Sequence, residues 1–394
     1  LGQIVIGFTG KDEQRRSRRR WDVVVVGAGP AGAVVARELA LAGATVLLVD
    51  RRRFPRDKVC GGCLSARTVA RLGQLGLDKA VDQLGGKALR RLKLAGWGHL
   101  VSLSLPGGIS VSRSALDATL VNSALAVGVE FRSRCHARVG EAHGGFRSVI
   151  LGSRTKLEVM ASLVIDASGL GDSLVLDSER LGRTNSHRIG CSAILDHSGS
   201  RYESGTIHMA IGTGGYVGVV RIEGDRLNVA AALDPDLIRL HGVGTAVRYV
   251  LNAARFESIP GLNSVPWKGT PPMMQEPKWL AKERLFSIGD ASGYVEPFTG
   301  EGIGWAIHSA TLLVPLALKA IKGWNPGMAA DWVALRRGEL ARAQRDCRWF
   351  TWVLRHPFIA RGALRGIESM PVLGGPLVRR LHGPTISGAT TTWP

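Results

Sequence analysis

The stretch from Trp21 to Asp50, WDVVVVGAGPAGAVVARELALAGATVLLVD, constrains the fold more than any other part of the chain. Four valines, Val23 to Val26, run into Gly27-Ala28-Gly29-Pro30-Ala31-Gly32. An apolar helix pattern follows, and a second apolar run, Thr45 to Val49, ends at Asp50. The order predicts a strand, a glycine turn, a helix and a second, parallel strand, which is the context in which a G-x-G-x-x-G motif binds a dinucleotide. Gly27 allows the tight turn, Gly29 lets the backbone approach a pyrophosphate, and Gly32 lets helix and strand pack closely. The helix that starts at Pro30 and Ala31 offers free N–H groups and a positive dipole end to phosphates. Asp50 closes the second strand, where a carboxylate can bond ribose hydroxyls. The competing reading is a glycine-rich turn in an α/β domain that binds nothing.

A second glycine–acid signature lies near the far end. Arg284-Leu285-Phe286-Ser287-Ile288 runs into Gly289-Asp290, and Tyr294 to Gly304 (YVEPFTGEGIG) opens a long apolar helix. Alone, Gly-Asp reads as a loop capped by its aspartate at the next helix start. Paired with the N-terminal fingerprint, which does not recur, it makes the chain resemble the FAD-dependent oxidoreductases built like the aromatic hydroxylases. The resemblance implies FAD as cofactor, with Gly289 and Asp290 at its ribityl chain and Pro297, Gly300 and Gly302 beside the isoalloxazine. A helix N-terminus aimed at that ring stabilises the negative charge of a reduced flavin.

After Asp50 comes Arg51-Arg52-Arg53-Phe54-Pro55-Arg56-Asp57-Lys58-Val59-Cys60-Gly61-Gly62-Cys63. Its Lys-x-Cys-Gly-Gly loop is similar to that of the geranylgeranyl reductase branch, whose members include archaeal, plant and menaquinone prenyl-chain reductases. Flavin-dependent halogenases share part of the loop but also carry a Trp-x-Trp-x-Ile-Pro signature, and no Trp-x-Trp occurs here. Cys60 and Cys63 form a C-x-x-C unit with three readings: half of a metal site, a redox dithiol beside the flavin, or a loop that sets Cys60 at the isoalloxazine edge. The remaining cysteines (Cys135, Cys191, Cys347) form no second pair, which argues against zinc and against an iron–sulfur cluster. No metal is expected, and the resemblance favours the third reading. It also implies that Asp50 and Arg51 meet the nucleotide end of FAD. Arg113, in Arg-x-x-Leu-Asp, would lie against the FAD phosphates or ring; a capping arrangement of Ser114 and Asp117 can hold there too. Asp166 and Gly169 end a buried strand in Asp-Ala-Ser-Gly. Ser168-Gly169 replaces the family's Asp-Gly, a departure from NADPH handling of the hydroxylase kind.

Between these elements, residues 188–274 alternate in character. Gly215 to Ile222 and Leu227 to Leu233 flank a polar Gly-Asp turn and read as a hairpin. By the resemblance, an antiparallel sheet inserted here roofs the substrate cavity. Gly-Gly-Tyr-Val-Gly is similar to the Tyr-x-Trp-x-Phe-Pro motif of prenyl reductases but lacks the Trp and the Pro. Tyr216 is expected on the cavity wall, or else as a core aromatic of the sheet. Cys60 and Tyr216 are thus the candidate catalytic residues. The expected fold is α/β: a Rossmann-like FAD-binding domain of the glutathione-reductase type with an inserted antiparallel β-sheet substrate domain and C-terminal helices. The boundaries are a basic, disordered arm over 1–20, a discontinuous FAD-binding domain over 21–185 and 276–325, the sheet domain over 186–275, and a helical region over 326–394.

Fifty-one Lys and Arg stand against thirty-two Asp and Glu, a net charge of +19. Nucleic-acid binding would explain such a balance, but no nucleic-acid motif is present and the arginines are dispersed. Anionic lipid headgroups also attract such a chain, and arginines interleave with aromatics from Arg345 to Ile359 at helical spacing, as in interfacial helices. The longest apolar run, Ala310 to Ala317, is too short to span a bilayer. Scattered cysteines and the absence of a cleavage site after the early arginines place the protein in the cytoplasm, with contact to the inner membrane face. The expected activity is FAD-dependent reduction of C=C bonds in a prenyl or other apolar lipid, fed by an external donor, NAD(P)H or a reduced carrier. The alternatives are an FAD monooxygenase acting on an apolar substrate and a non-catalytic flavin carrier at a membrane surface.

Overall fold

A computed structural model describes residues 20–152, 156–170, 174, 188–196, 201–274, 277, 279–296, 298–375 and 378. Pro297, Asp172, Ser173, residues 1–19 of the basic arm and the last residues of the C-terminal region lie outside them.

The valine run forms the strand Arg20–Val26 at the heart of an eight-stranded sheet. It pairs in parallel with Val46–Val49 on one side and with Leu157–Asp166 on the other; Glu130–Arg132 and Leu285–Ser287 extend the parallel core outward. Val23 and Val25 face one way, into a cluster with Val34, Val35, Leu39, Leu120, Ile307 and Leu313 from three helices. Val24 and Val26 face the other way, against Val139, Val149 and Val159. The period of two therefore buries both faces. The helices are Pro30–Leu41, Arg113–Leu125 and Gly302–Lys322; the opposite layer includes the antiparallel pair Ala137–His143 and Phe146–Leu151.

The 21-residue helix Gly302–Lys322 corrects the sequence reading of Ala310–Ala317 as a short run. It is long and apolar enough to cross a membrane by length and composition, yet 56% of its most apolar window is buried inside the protein. It packs on Pro30–Leu41 as a core helix.

A second sheet has seven strands, ordered Lys268–Pro272, Ile189–Leu195, Leu227–Leu233, Gly215–Arg221, Thr206–Gly212, Arg91–Gly96 and His99–Ser104. The expected hairpin is present, with Gly215 opposite Leu233 and Arg221 opposite Leu227. Two features differ from the expected inserted antiparallel sheet. Its last two strands come from residues 91–104, inside the segment assigned to the FAD-binding domain, and Thr206–Gly212 pairs with Arg91–Gly96 in parallel. The apolar alternation of residues 91–104 says that one face is buried, not against which sheet. On the hairpin, Val217, Val219, Val229 and Ala231 pack with the helix Val243–Ala253. Tyr216, Gly218, Val220, Ala230 and Ala232 point the opposite way, into a cavity. A long helix, Gly327–Leu354, and a shorter one, Pro357–Ser369, follow and close the far side.

Candidate functional site

The glycine turn works by close approach. A Cβ on Gly27, which sits at φ 105°, would lie 2.2 Å from the Ala167 carbonyl oxygen, and one on Gly32 would lie 1.8 Å from the Gly27 carbonyl oxygen. Only glycine lets the first strand, the turn and the neighbouring strand end meet at these distances. Asp50 is buried and braces the turn: it accepts the Ala28 N–H at 2.9 Å and the Arg52 N–H at 2.8 Å. Arg51 is exposed beside it.

Two guanidinium groups flank the turn. A Cβ on Gly29 would come within 3.7 Å of Arg56 Nη2 and 3.8 Å of Arg113 Nη2. Asp117, fully buried, fixes both: Arg113 donates to it twice at 2.9 Å, and Arg56 donates at 3.1 Å. Burial opposes the charge on Arg113, but Asp117 outweighs it and holds the guanidinium well above its ordinary value. The first turn of Pro30–Leu41 starts here with unused N–H groups. Two fixed cations and a helix N-terminus make a site for a diphosphate. Ser112 caps the helix Arg113–Leu125, accepting the Ala115 N–H at 3.2 Å. The cap is therefore Ser112, one position before the helix, and Asp117 serves the arginines instead.

The late Gly-Asp lies against the same turn. A Cβ on Gly289 would be 3.1 Å from the Ala31 Cβ, and Ser309 of the long core helix accepts the Gly289 N–H at 2.9 Å. Lys58 reaches across from the Lys-x-Cys-Gly-Gly loop and donates to Asp290 at 3.1 Å. That loop is anchored by Asn228, which donates to the Cys60 carbonyl at 3.0 Å, and by the Gly62 N–H to Cys60 Sγ at 3.3 Å. Cys63 begins a short strand; burial pushes its thiol up to about 12, so it stays protonated. Beyond Asp290, Gly300 sits at φ 74° with open space where a Cβ would be, and Gly302 begins the core helix.

These parts border one cavity of about 550 Å³. Of the expected site residues, Gly29, Pro30, Ala31, Cys60, Arg113, Gly169, Tyr216, Gly289, Asp290, Gly300 and Gly302 line it. Gly27, Gly32, Asp50, Arg51 and Asp166 do not; the first three shape or brace the turn. Asp166 turns aside to accept from the Ser168 N–H and Oγ, and burial raises its carboxyl. Pro297 lies outside the described residues.

The far half of the cavity is apolar. Leu92, Leu94, Leu103, Met209, Ile211 and Leu364 form much of its wall, and Gly218, Ala230 and Ala232 leave room above the hairpin. Tyr216 meets Phe298 edge-on, with centroids 5.0 Å apart, and the Arg188 guanidinium lies 5.6 Å from its ring centroid. Burial, then Glu296, raises the Tyr216 phenol well above its usual value. Burial, then Asp290, does the same to Tyr294, a wall residue the sequence reading passed over. Glu296 is fully buried between Arg188 and Arg355, each at 3.4 Å. Arg56, Lys58, Asp117 and Asn228 were also passed over as site residues. Lys58 and Asp117 had signals, their places in the quoted loop and in Arg-x-x-Leu-Asp. Arg56 and Asn228 act through partners 61 and 168 residues away, which no local pattern shows.

The residues fit a flavin dinucleotide: two arginines and a helix N-terminus at one end, glycines that leave space at the other, and Asp290 between them. Among the described residues no group of three or more His, Cys, Asp or Glu side chains is placed to hold a metal ion.

Comparison with known proteins agrees with this fit. A family model described as an FAD binding domain matches residues 20–189. The chain is similar to the menaquinone reductase of Mycobacterium tuberculosis, 29% identical over 319 residues that span 75% of this chain and 76% of that protein. It is similar to digeranylgeranylglycerophospholipid reductase 3 of Methanosphaera stadtmanae, 24% identical over 326 residues, 76% and 78% of the two chains. Among solved structures, the flavin-dependent brominase Bmp2 superposes with a TM-score of 0.69 at 16% identity, over 93% of this chain and 94% of that one. At that identity the likeness is one of fold.

Proposed function

The chain is an FAD-dependent oxidoreductase, and from that premise we propose that it reduces C=C bonds in the polyprenyl chain of a lipid or quinone. One observation carries the reading: the cavity beside the flavin cradle is walled by aliphatic side chains, while the charged groups on its wall, Lys58, Arg113 and Asp290, gather at the cradle end. A long apolar chain gains from such a wall, roughly 0.8 kcal/mol for each methylene withdrawn from water. The two similar reductases are named for menaquinone and for digeranylgeranylglycerophospholipid, both of which carry prenyl chains.

When bound, FAD supplies the hydride chemistry, and an external donor, NAD(P)H or a reduced carrier, recharges it. The chain's own residues do the rest. Arg56 and Arg113 would hold the diphosphate, and Asp290, oriented by Lys58, would accept from ribityl hydroxyls. The N-terminus of Gly302–Lys322, on the cavity wall, favours negative charge nearby. Cys60 borders the reacting end and Tyr216 the roof. Tyr216 and Tyr294, both raised by burial, keep their phenolic protons at neutral pH on the cavity wall, where the Tyr294 hydroxyl donates to Met273 Sδ at 4.0 Å. A phenol raised this far is a weak acid, so the proton that alkene reduction requires would come from water.

Dithionite-reduced protein mixed anaerobically with a geranylgeranyl lipid should regain its oxidised-flavin spectrum and release product richer by two hydrogens per bond. Reoxidation only when oxygen is admitted, with an oxygenated product, would establish a monooxygenase instead. Reduced flavin that is indifferent to lipid in both gases would leave an electron carrier.

A further inference from the structure

The two C-terminal helices, Gly327–Leu354 and Pro357–Ser369, meet at a corner that shows large apolar side chains to solvent. Phe358 is 92% exposed, Trp349 57%, Trp352 50% and Ile359 44%. Exposed Met370, Val372 and Leu373 follow just beyond. Soluble surfaces seldom gather so many without a partner. Arginines ring the corner: Arg342, Arg345, Arg348, Arg361 and Arg365 are all exposed. Over residues 341–373 six arginines stand against two acids, Asp346 and Glu368. Glu368 is already engaged by His99 at 2.6 Å and by the Leu100 N–H at 3.1 Å.

The same helices form a wall of the cavity. Trp349, Ala363 and Leu373 both line it and are exposed, so its mouth opens on this corner, among the aromatics.

We propose that this helical corner docks on an anionic lipid bilayer and that the cavity opens directly into it. Indole and phenyl rings favour the headgroup level, where their apolar bodies leave water. Arginines around them meet lipid phosphates and are drawn by the negative surface potential. A second copy of the chain fits less well, because a two-fold contact would bring the arginine clusters together. Residues 379–394 fit less well too: they hold only Leu381, Ile386 and Trp393 as large apolar side chains and begin with two more arginines. Docking rests on this surface alone; entry of substrate from the bilayer rests on the lipid-reduction reading above.

The test is sedimentation of the FAD-loaded full chain with vesicles of phosphatidylcholine alone or mixed with phosphatidylglycerol. The wild type should bind the mixed vesicles much more tightly and be released by salt, as surface charge is screened. Trp352→Ser with Phe358→Ser, both off the cavity wall, should weaken binding about tenfold or more. Arg361→Gln with Arg365→Gln should cost about 25-fold on anionic vesicles only, near fivefold per arginine. Flavin content and melting temperature should be unchanged in both variants. Wild-type protein that stays in the supernatant, or aromatic variants that bind as wild type, would overturn the proposal. So would a wild-type dimer that Phe358→Ser makes monomeric while no vesicle binds. Vesicle binding with no flavin reoxidation by lipid, in bilayer or detergent, would sustain docking and refute the reduction reading.

Discussion

A methyl group on Gly32 would stand 1.8 Å from the Gly27 carbonyl oxygen, well inside any real contact. Gly32→Ala must therefore push the helix Pro30–Leu41 off the first strand. It should cost roughly 1–3 kcal/mol of stability, as overpacking does, and displace the N-terminus proposed to meet the diphosphate. Urea unfolding and the flavin-to-protein ratio of the purified variant read the two effects. Asp290 separates binding from stability. Its pair with Lys58 is partly exposed on both sides, 22% and 32%, so the ion pair itself is worth about 0–1 kcal/mol. Asp290→Ala should leave the melting temperature of the flavin-free protein nearly unchanged and cut flavin retention by about tenfold or more. Normal flavin content in that variant would sink the ribityl role. The spacing of Gly27, Gly29 and Gly32 showed in the sequence because close backbone approach restricts the residue to glycine wherever it occurs. The Lys58 partner did not, because 232 residues separate the two side chains.

At the scale of elements, Glu296 joins three of them. Arg188 leads into the strand Ile189–Leu195, Arg355 ends the helix Gly327–Leu354, and Glu296 sits in the segment before the core helix. All of the carboxylate is withdrawn from water. Glu296→Ala would leave Arg188, itself 4% exposed, with Asp234 at 3.2 Å as its remaining carboxylate partner. Losing one of two partners of a buried charged group costs about 1–3 kcal/mol, so the variant should unfold at lower urea and loosen the C-terminal helices first. Hydrogen exchange over residues 340–354 would show that order. Strands and helices here were legible from their periods: Val23 to Val26 as a two-faced buried strand, Gly302 onward as an apolar helix. Their assembly was not. The strands Arg91–Gly96 and His99–Ser104 went unread in the sequence, and their half-buried pattern suits either sheet.

For the whole molecule, the seven-stranded sheet has a second face that bears on stability rather than chemistry. There His208, 4% exposed, packs edge-on to Tyr202 and Phe256. Burial first, and Lys93 second, pull it from its ordinary 6.5 down to about 4. Between those values the unfolded chain takes up a proton that the folded chain refuses. Stability is therefore complete above about pH 6.5 and is lost as pH falls toward 4, by roughly 1 kcal/mol at about pH 5.5. His208→Leu should flatten that part of the melting-temperature profile; an unchanged slope would show that His208 does not titrate this way. What the sequence determined alone is local: a glycine turn between parallel strands, a second Gly-Asp turn before an apolar helix, an alternating hairpin, and a positive charge far from balance. Each follows from backbone geometry or side-chain period within a few neighbouring residues. Only the tertiary structure decided which cations meet Gly29, that Lys58 holds Asp290, and that Gly218, Ala230 and Ala232 open a cavity roof. It also brought that cavity's mouth to a corner of exposed aromatics and arginines. Those outcomes depend on side chains from distant segments sharing one space, and the free energy of that sharing is not written in any one stretch of the chain.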